Sequence, residues 1–263
     1  MKHTYLAGLA TLALTCGTAQ AAMITLWDYQ VDAGFVNNSW APAAGVTAGG
    51  YDVSNDWYKS LTWGQPVDGG PLSSFLLSDA TVGQVDSFGN DVDGLLLTHN
   101  NFPIFAPSLL SVQMQTILML TPNMPAAGPS YTPPAITFMI DFLETTNNLD
   151  LCPDGGSNGS GANINGCGDI FAIASPDSLL QAFNFDGYAY TINISLEGGG
   201  LLSDEACAAA SVDSGCYGFV TVEDQVNNFR ARFNITSRAL PVPEPAGLAL
   251  FGLGMLFLRR FRR

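Results

Sequence analysis

Phe229-Arg230-Ala231-Arg232-Phe233-Asn234-Ile235 decides the fold. In an extended chain Phe229, Ala231, Phe233 and Ile235 share one face, while Arg230, Arg232 and Asn234 share the other. The same period recurs upstream. Tyr188, Tyr190, Ile192, Ile194 and Leu196 alternate with Thr191, Asn193, Ser195 and Glu197, and Phe138, Ile140 and Phe142 alternate with Met139 and Asp141. Period two in β-branched and aromatic residues predicts half-buried strands. Residues 23–31, 109–120 and 217–222 are further strand candidates. No long stretch holds a 3.6-residue apolar period, and Gly, Asn, Asp and Pro punctuate the chain throughout. These features predict an all-β fold, a single antiparallel β-sandwich of jelly-roll-like form over residues 22–240.

Both ends of this body carry processing signals. Lys2 precedes an apolar stretch over residues 5–14, and Ala19-Gln20-Ala21 is a small-x-small cleavage site. Residues 1–21 therefore read as a signal peptide, removed by signal peptidase to leave Ala22 first. At the other end Pro241-Val242-Pro243-Glu244-Pro245 leads into an apolar run over residues 246–258, followed by Arg259-Arg260-Phe261-Arg262-Arg263. At ~1.5 Å per residue this run is about 20 Å of helix, short of the ~30 Å bilayer core. It reaches across only if its flanks are drawn in and the arginines snorkel. The arginine cluster, a basic stop, places the C-terminus in the cytoplasm.

The combination of Pro243-Glu244-Pro245, a short apolar helix and a basic stop resembles the tail of the PEP-CTERM family of exported bacterial proteins. The resemblance implies that residues 241–263 are a sorting handle, cut near the motif by an exosortase-type membrane peptidase. It implies an inner-membrane intermediate, then delivery to the cell surface or extracellular matrix. A permanent single-pass anchor is the competing reading. Within the body, Leu97-Thr98-His99-Asn100-Asn101-Phe102-Pro103-Ile104 and the opening Ile24-Thr25-Leu26-Trp27 resemble the PEP-CTERM subfamily named for a Thr-His-x-Asn motif. That resemblance implies a destination and no particular reaction.

With both ends removed, Lys59, Arg230, Arg232 and Arg238 stand against 23 acidic residues, or 22 if Glu244 also leaves, for a net charge of −19 or −18. A body this acidic repels nucleic acid and anionic lipid. It suits solubility and attracts divalent cations. Cys16 departs with the signal peptide, leaving Cys152, Cys167, Cys207 and Cys216. An even count in an exported chain implies two disulfides, with three pairings open. Short loops close at the lowest entropic cost, which favours Cys152–Cys167 and Cys207–Cys216. The spacings lack the Cys-x-x-Cys knuckles of a zinc site.

His99 is the only histidine beyond the signal peptide. Asn100 and Asn101 are turn formers, and Pro103 drives Phe102 extended. A strand over residues 94–97 is therefore expected to end in a turn carrying Thr98, His99, Asn100 and Asn101. Two sharper readings compete with the turn: a ligand contact by His99 with Asp91 or Asp93, and a secreted hydrolase using His99 with a carboxylate or Ser partner. Neither a Gly-x-Ser-x-Gly elbow nor a His-Glu-x-x-His helix is present. The expectation is a non-enzymatic protein without a cofactor, with exopolysaccharide or a surface partner as its ligand. Calcium is the cation that the acidic loops invite. Residues 90–94 fail the EF-hand register, and Asp154, Asn158, Asn163 and Asp169 offer oxygens in no recognisable order. Trp40, Tyr51, Trp57, Tyr58 and Trp63 fall in a Gly/Pro-rich segment of weak strand character. They are expected to plug an open end of the sandwich, with stacking on sugar rings as the alternative.

Overall fold

A computed structural model describes residues 22–241 of the chain. The expected signal peptide, the Pro243-Glu244-Pro245 motif, the apolar tail helix and its arginines lie outside these residues. Among the described residues, no helix is long and apolar enough to cross a membrane.

Strands are the dominant regular structure of the body. They are β1 (Leu26–Val36), β2 (Val46–Asp52), β3 (Trp57–Trp63), β4 (Gln65–Pro66), β5 (Ser73–Leu77), β6 (Thr81–Asp86), β7 (Val92–Asn101) and β8 (Ile104–Phe105). Then follow β9 (Ser111–Met124), β10 (Ile136–Leu143), β11 (Asp169–Ile173), β12 (Leu180–Phe185), β13 (Tyr188–Leu196), β14 (Gly200–Leu201), β15 (Tyr217–Thr221) and β16 (Gln225–Ala239). One short α-helix, α1 (Asp204–Ala209), stands between β14 and β15. The main sheet runs β12-β13-β16-β7-β5-β3-β1-β9-β10-β11-β15-β14, with β2 added on β3 and β6 on β1, while β4 and β8 pair separately.

This sheet curls until its two halves face each other. Phe75 of β5 packs on Phe142 of β10 with ring centroids 5.2 Å apart, and Tyr29 of β1 meets Phe233 of β16 at 4.9 Å. Phe219 of β15 stacks on Phe229 of β16 at 3.5 Å. The predicted alternations set which side chains point inward. Phe229, Phe233 and Ile235 are buried, as are Tyr190 and Ile192, and Phe138, Ile140 and Phe142. Between them Met139 is exposed and Arg230 and Arg232 reach Asp93.

β11 departs from alternation because it is covered on both faces. All five of its residues are buried, which fits the continuous apolar run Ile170-Phe171-Ala172-Ile173. Its outer face packs under α1, where Ile170 and Ala172 join Ala206, Cys207, Ala210 and Cys216 in a small second core. Ser203 caps α1, its Oγ accepting from Ala206 N at 3.0 Å, and Cys207–Cys216 closes the loop beneath it. The other disulfide joins Cys152 to Cys167.

Two expectations change. The stretch Thr98-His99-Asn100-Asn101 is not a turn: β7 runs through it to Asn101, paired with β5 on one side and β16 on the other. Turn chemistry gives way because two neighbouring strands satisfy this backbone. Of the aromatic segment, Tyr51 lies on β2 and Trp57, Tyr58 and Trp63 on β3, and Trp57 and Trp63 are core residues rather than a loop plug. Trp40, Tyr51 and Tyr58 stay at or near the surface.

Candidate functional site

The inward faces of four strands end in polar groups at the same end of the sandwich. On β7 the inward series Leu95, Leu97 continues into His99 and Asn101, both without exposed surface. On β10 the series Phe138, Ile140, Phe142 is followed by Glu144. On β11 Asp169 precedes Phe171 and Ile173, and on β15 Phe219 is followed by Thr221 and then Glu223. Register brings them together. Asp169 lies opposite Thr221, and Glu144 lies one step beyond the Leu143–Ile170 pair, level with Asp169. β7 faces these strands across the core, where the His99 ring sits 5.3 Å from Phe142 and 5.7 Å from Trp63. The backbone is close here: a Cβ on Gly168 would come within 2.3 Å of the Thr221 carbonyl oxygen.

One oxygen from each of Glu144, Asp169 and Glu223 falls in a group whose members all lie within 4.8 Å of one another. A donor orients each carboxylate. Trp63 Nε1 donates to Glu144 Oε2 at 3.1 Å, Thr145 N to Asp169 Oδ1 at 2.8 Å, and Asn147 Nδ2 to Glu223 Oε2 at 2.8 Å. Thr221 links the halves. Its hydroxyl donates to the Asp169 carbonyl at 3.2 Å, so its oxygen accepts from His99 Nδ1 at 3.1 Å and from Asn101 Nδ2 at 3.3 Å. This assigns the His99 proton to Nδ1 and leaves Nε2 bare.

Electrostatics follow from burial. Desolvation, then the charge of Glu223, pushes Glu144 up to about 8 against the opposing hydrogen bonds from Trp63 and Asp169. Burial and the charges of Glu144 and Glu223 raise Asp169 well above the usual carboxylate range. Burial pushes Glu223 up to about 7, opposed by the Asn147 hydrogen bond and by the nearby Asn101 amide. Burial alone holds His99 down at about 3, so its ring is neutral. Chemically, such a centre either shares protons among its carboxyls or holds a cation.

Five of the seven buried side-chain polar atoms that lack a partner among the described residues belong here: His99 Nε2, Asn101 Oδ1, Asn147 Oδ1, Asp169 Oδ2 and Glu223 Oε1. A cavity of about 60 Å³ lies elsewhere between the sheet halves, lined by apolar residues such as Val31, Leu95 and Phe138 and by none of the centre's carboxylates.

The sequence pointed to His99 and Asn101, and in other settings to Asp169 and Trp63, but not to Glu144, Thr221 or Glu223. Asp91 accepts from Asn234 and Asp93 pairs with Arg230 and Arg232, so neither serves His99. Within the second acidic loop, Asn163 Nδ2 donates to both Asp154 oxygens at 3.0 Å, and Asn158 donates to the carbonyls of Asn147 and Leu149. Asp169 belongs to β11 and not to that loop. Thr98 and Asn100 point away from the centre, bonded to Asn228 and Ser74.

The chain's sorting signal lies outside this body. Residues 241–263 match the family model of the PEP-CTERM protein-sorting motif. The chain is thus an exported protein that passes through the membrane and is processed by an exosortase-type enzyme. No curated protein matches it.

Proposed function

We propose that this chain is a non-enzymatic protein of the cell surface or extracellular matrix, of the Thr-His-x-Asn kind, whose motif serves the fold rather than a reaction. The observation that supports this is burial: His99 and Asn101 have no exposed surface. A histidine base needs a nucleophile in reach and a path for substrate. The hydroxyl that His99 meets belongs to Thr221, itself fully buried and committed to the Asp169 carbonyl. Contact with an exopolysaccharide falls instead to the outer aromatics. Tyr51, half exposed, lies 4.8 Å from Tyr58, which lies 5.6 Å from Trp40. Such rings stack on sugar faces through their apolar surface.

A glycan array together with a panel of ester, peptide and glycoside substrates tests the reading on the exported protein. The expected result is glycan binding that Tyr51→Ala weakens, and no turnover. Turnover that disappears in His99→Gln would overturn it.

A further inference from the structure

The cluster of Glu144, Asp169 and Glu223 has a charge problem that the protein does not solve with its own cations. The body has four basic side chains. Lys59 pairs with Asp32, and Arg230 and Arg232 pair with Asp93. Among the described residues, no ion pair reaches the cluster. Buried carboxylates ordinarily find a cationic partner or coordinate a metal.

Unmet acceptors sharpen the problem. Each carboxylate accepts one well-formed hydrogen bond, from Trp63, Thr145 or Asn147. Asp169 Oδ2 and Glu223 Oε1 are then left with nothing to accept from. Asn101 adds an independent sign. It is not acidic, it is wholly buried, its amide lies against the Glu223 carboxylate, and its side-chain oxygen has no donor. Four orphan oxygens, counting Asn147 Oδ1, belong to residues of this one centre, and one more hydrogen bond would satisfy only one of them. A cation satisfies several at once.

We propose that Glu144, Asp169 and Glu223, with the side-chain oxygen of Asn101, form a site for one calcium ion. Spacing agrees with this choice. Oxygens held at about 2.3–2.6 Å from a calcium ion lie at most about 5 Å from one another, and the three carboxylates offer atoms within 4.8 Å. Ligand type agrees as well. The donors are hard oxygens, and His99, with Nδ1 bonded to Thr221, is not part of the carboxylate group. Three carboxylates and an amide oxygen leave room for water in a sphere of six to eight ligands. An exported protein also meets calcium in concentrations that suit a modest site, with dissociation constants of about 10⁻⁴–10⁻³ M in extracellular modules. The function of such an ion here is structural: it ties β10, β11 and the end of β15 to β7, the strand that faces them across the core.

Terbium, which replaces calcium and emits when a nearby tryptophan is excited, tests the site. Trp63 touches Glu144 and so reports on it directly. The exported chain, purified and stripped with EDTA, should show tryptophan-sensitised terbium emission. Calcium should quench it by competition, magnesium far less, and Trp63→Phe should largely remove it. Calorimetry should find about one calcium per chain, with binding lost in Asp169→Asn and in Glu223→Gln. Melts in EDTA keep the variants interpretable: each removes a buried charge at constant shape and should melt no lower than the metal-free parent. No sensitised emission from the parent protein overturns the proposal, as does emission indifferent to Trp63→Phe, or calcium binding unchanged in the two carboxylate variants.

Discussion

The two ends of the same interior are built on different terms. Near the start of β1, Trp27 packs edge-on to Phe183, Phe185 and Tyr190 with centroids 5.3–6.2 Å apart. The polar atoms there are met: Trp27 Nε1 donates to Ser87 at 3.0 Å, and the Tyr190 hydroxyl accepts from Ile24 N at 3.0 Å. Along β1 and across β9 to the end of β10, the register leads from Trp27 to Glu144 at the opposite end. There the inward faces hold His99, Asn101, Thr221 and three carboxylates, with orphan atoms among them. The first region gains from burial whichever apolar neighbours it meets, because the hydrophobic effect is non-directional. The second has value only if particular groups from separate strands arrive in one geometry. Here a fold that any alternating sequence could approach becomes a specific one.

Substitutions that treat the two ends alike should separate them. Trp27→Ala should cost the most, about 3–5 kcal/mol for a fully buried aromatic, read from urea unfolding of the exported protein. A loss below about 1 kcal/mol would mean that the aromatic end is not the main apolar support. His99→Ala should cost less, about 1–3 kcal/mol, as it removes a ring packed on Trp63 and Phe75 and takes a donor from Thr221. Its neighbour supplies the smallest effect. Thr98 points outward to an exposed bond with Asn228, so Thr98→Val should stay within about 0.5 kcal/mol of the parent. If the two motif substitutions cost the same, the inward and outward faces of β7 are not distinguished as the structure describes.

The sandwich was legible because alternation is local. Phe229 to Ile235 and Tyr188 to Leu196 each declare a buried face without reference to any partner. The disulfides were legible for a similar reason, since each closes a short loop. The polar centre was not, since its members are scattered from His99 to Glu223 and only register unites them. A weaker signal was present. Glu144 has the same parity as Phe138, Ile140 and Phe142, Asp169 as Phe171 and Ile173, and Glu223 as Phe219. A carboxylate that continues an inward apolar series is a candidate for burial, though no single strand tells what it will meet. His99 misled in the other direction: Asn100, Asn101 and Pro103 carry turn propensity, and pairing with β5 and β16 overrode it.

His99 and Asn101 of the Thr-His-x-Asn stretch face the interior, and the one histidine makes this directly measurable. His99 is the only histidine among the described residues, so diethyl pyrocarbonate labelling of the native exported protein, followed by peptide mass analysis, reports its exposure without interference. The structure predicts that His99 stays unmodified while the protein is folded and reacts once it is unfolded in denaturant. Modification of folded protein at the rate of a free histidine would contradict the account and return His99 to the surface, where chemistry could use it.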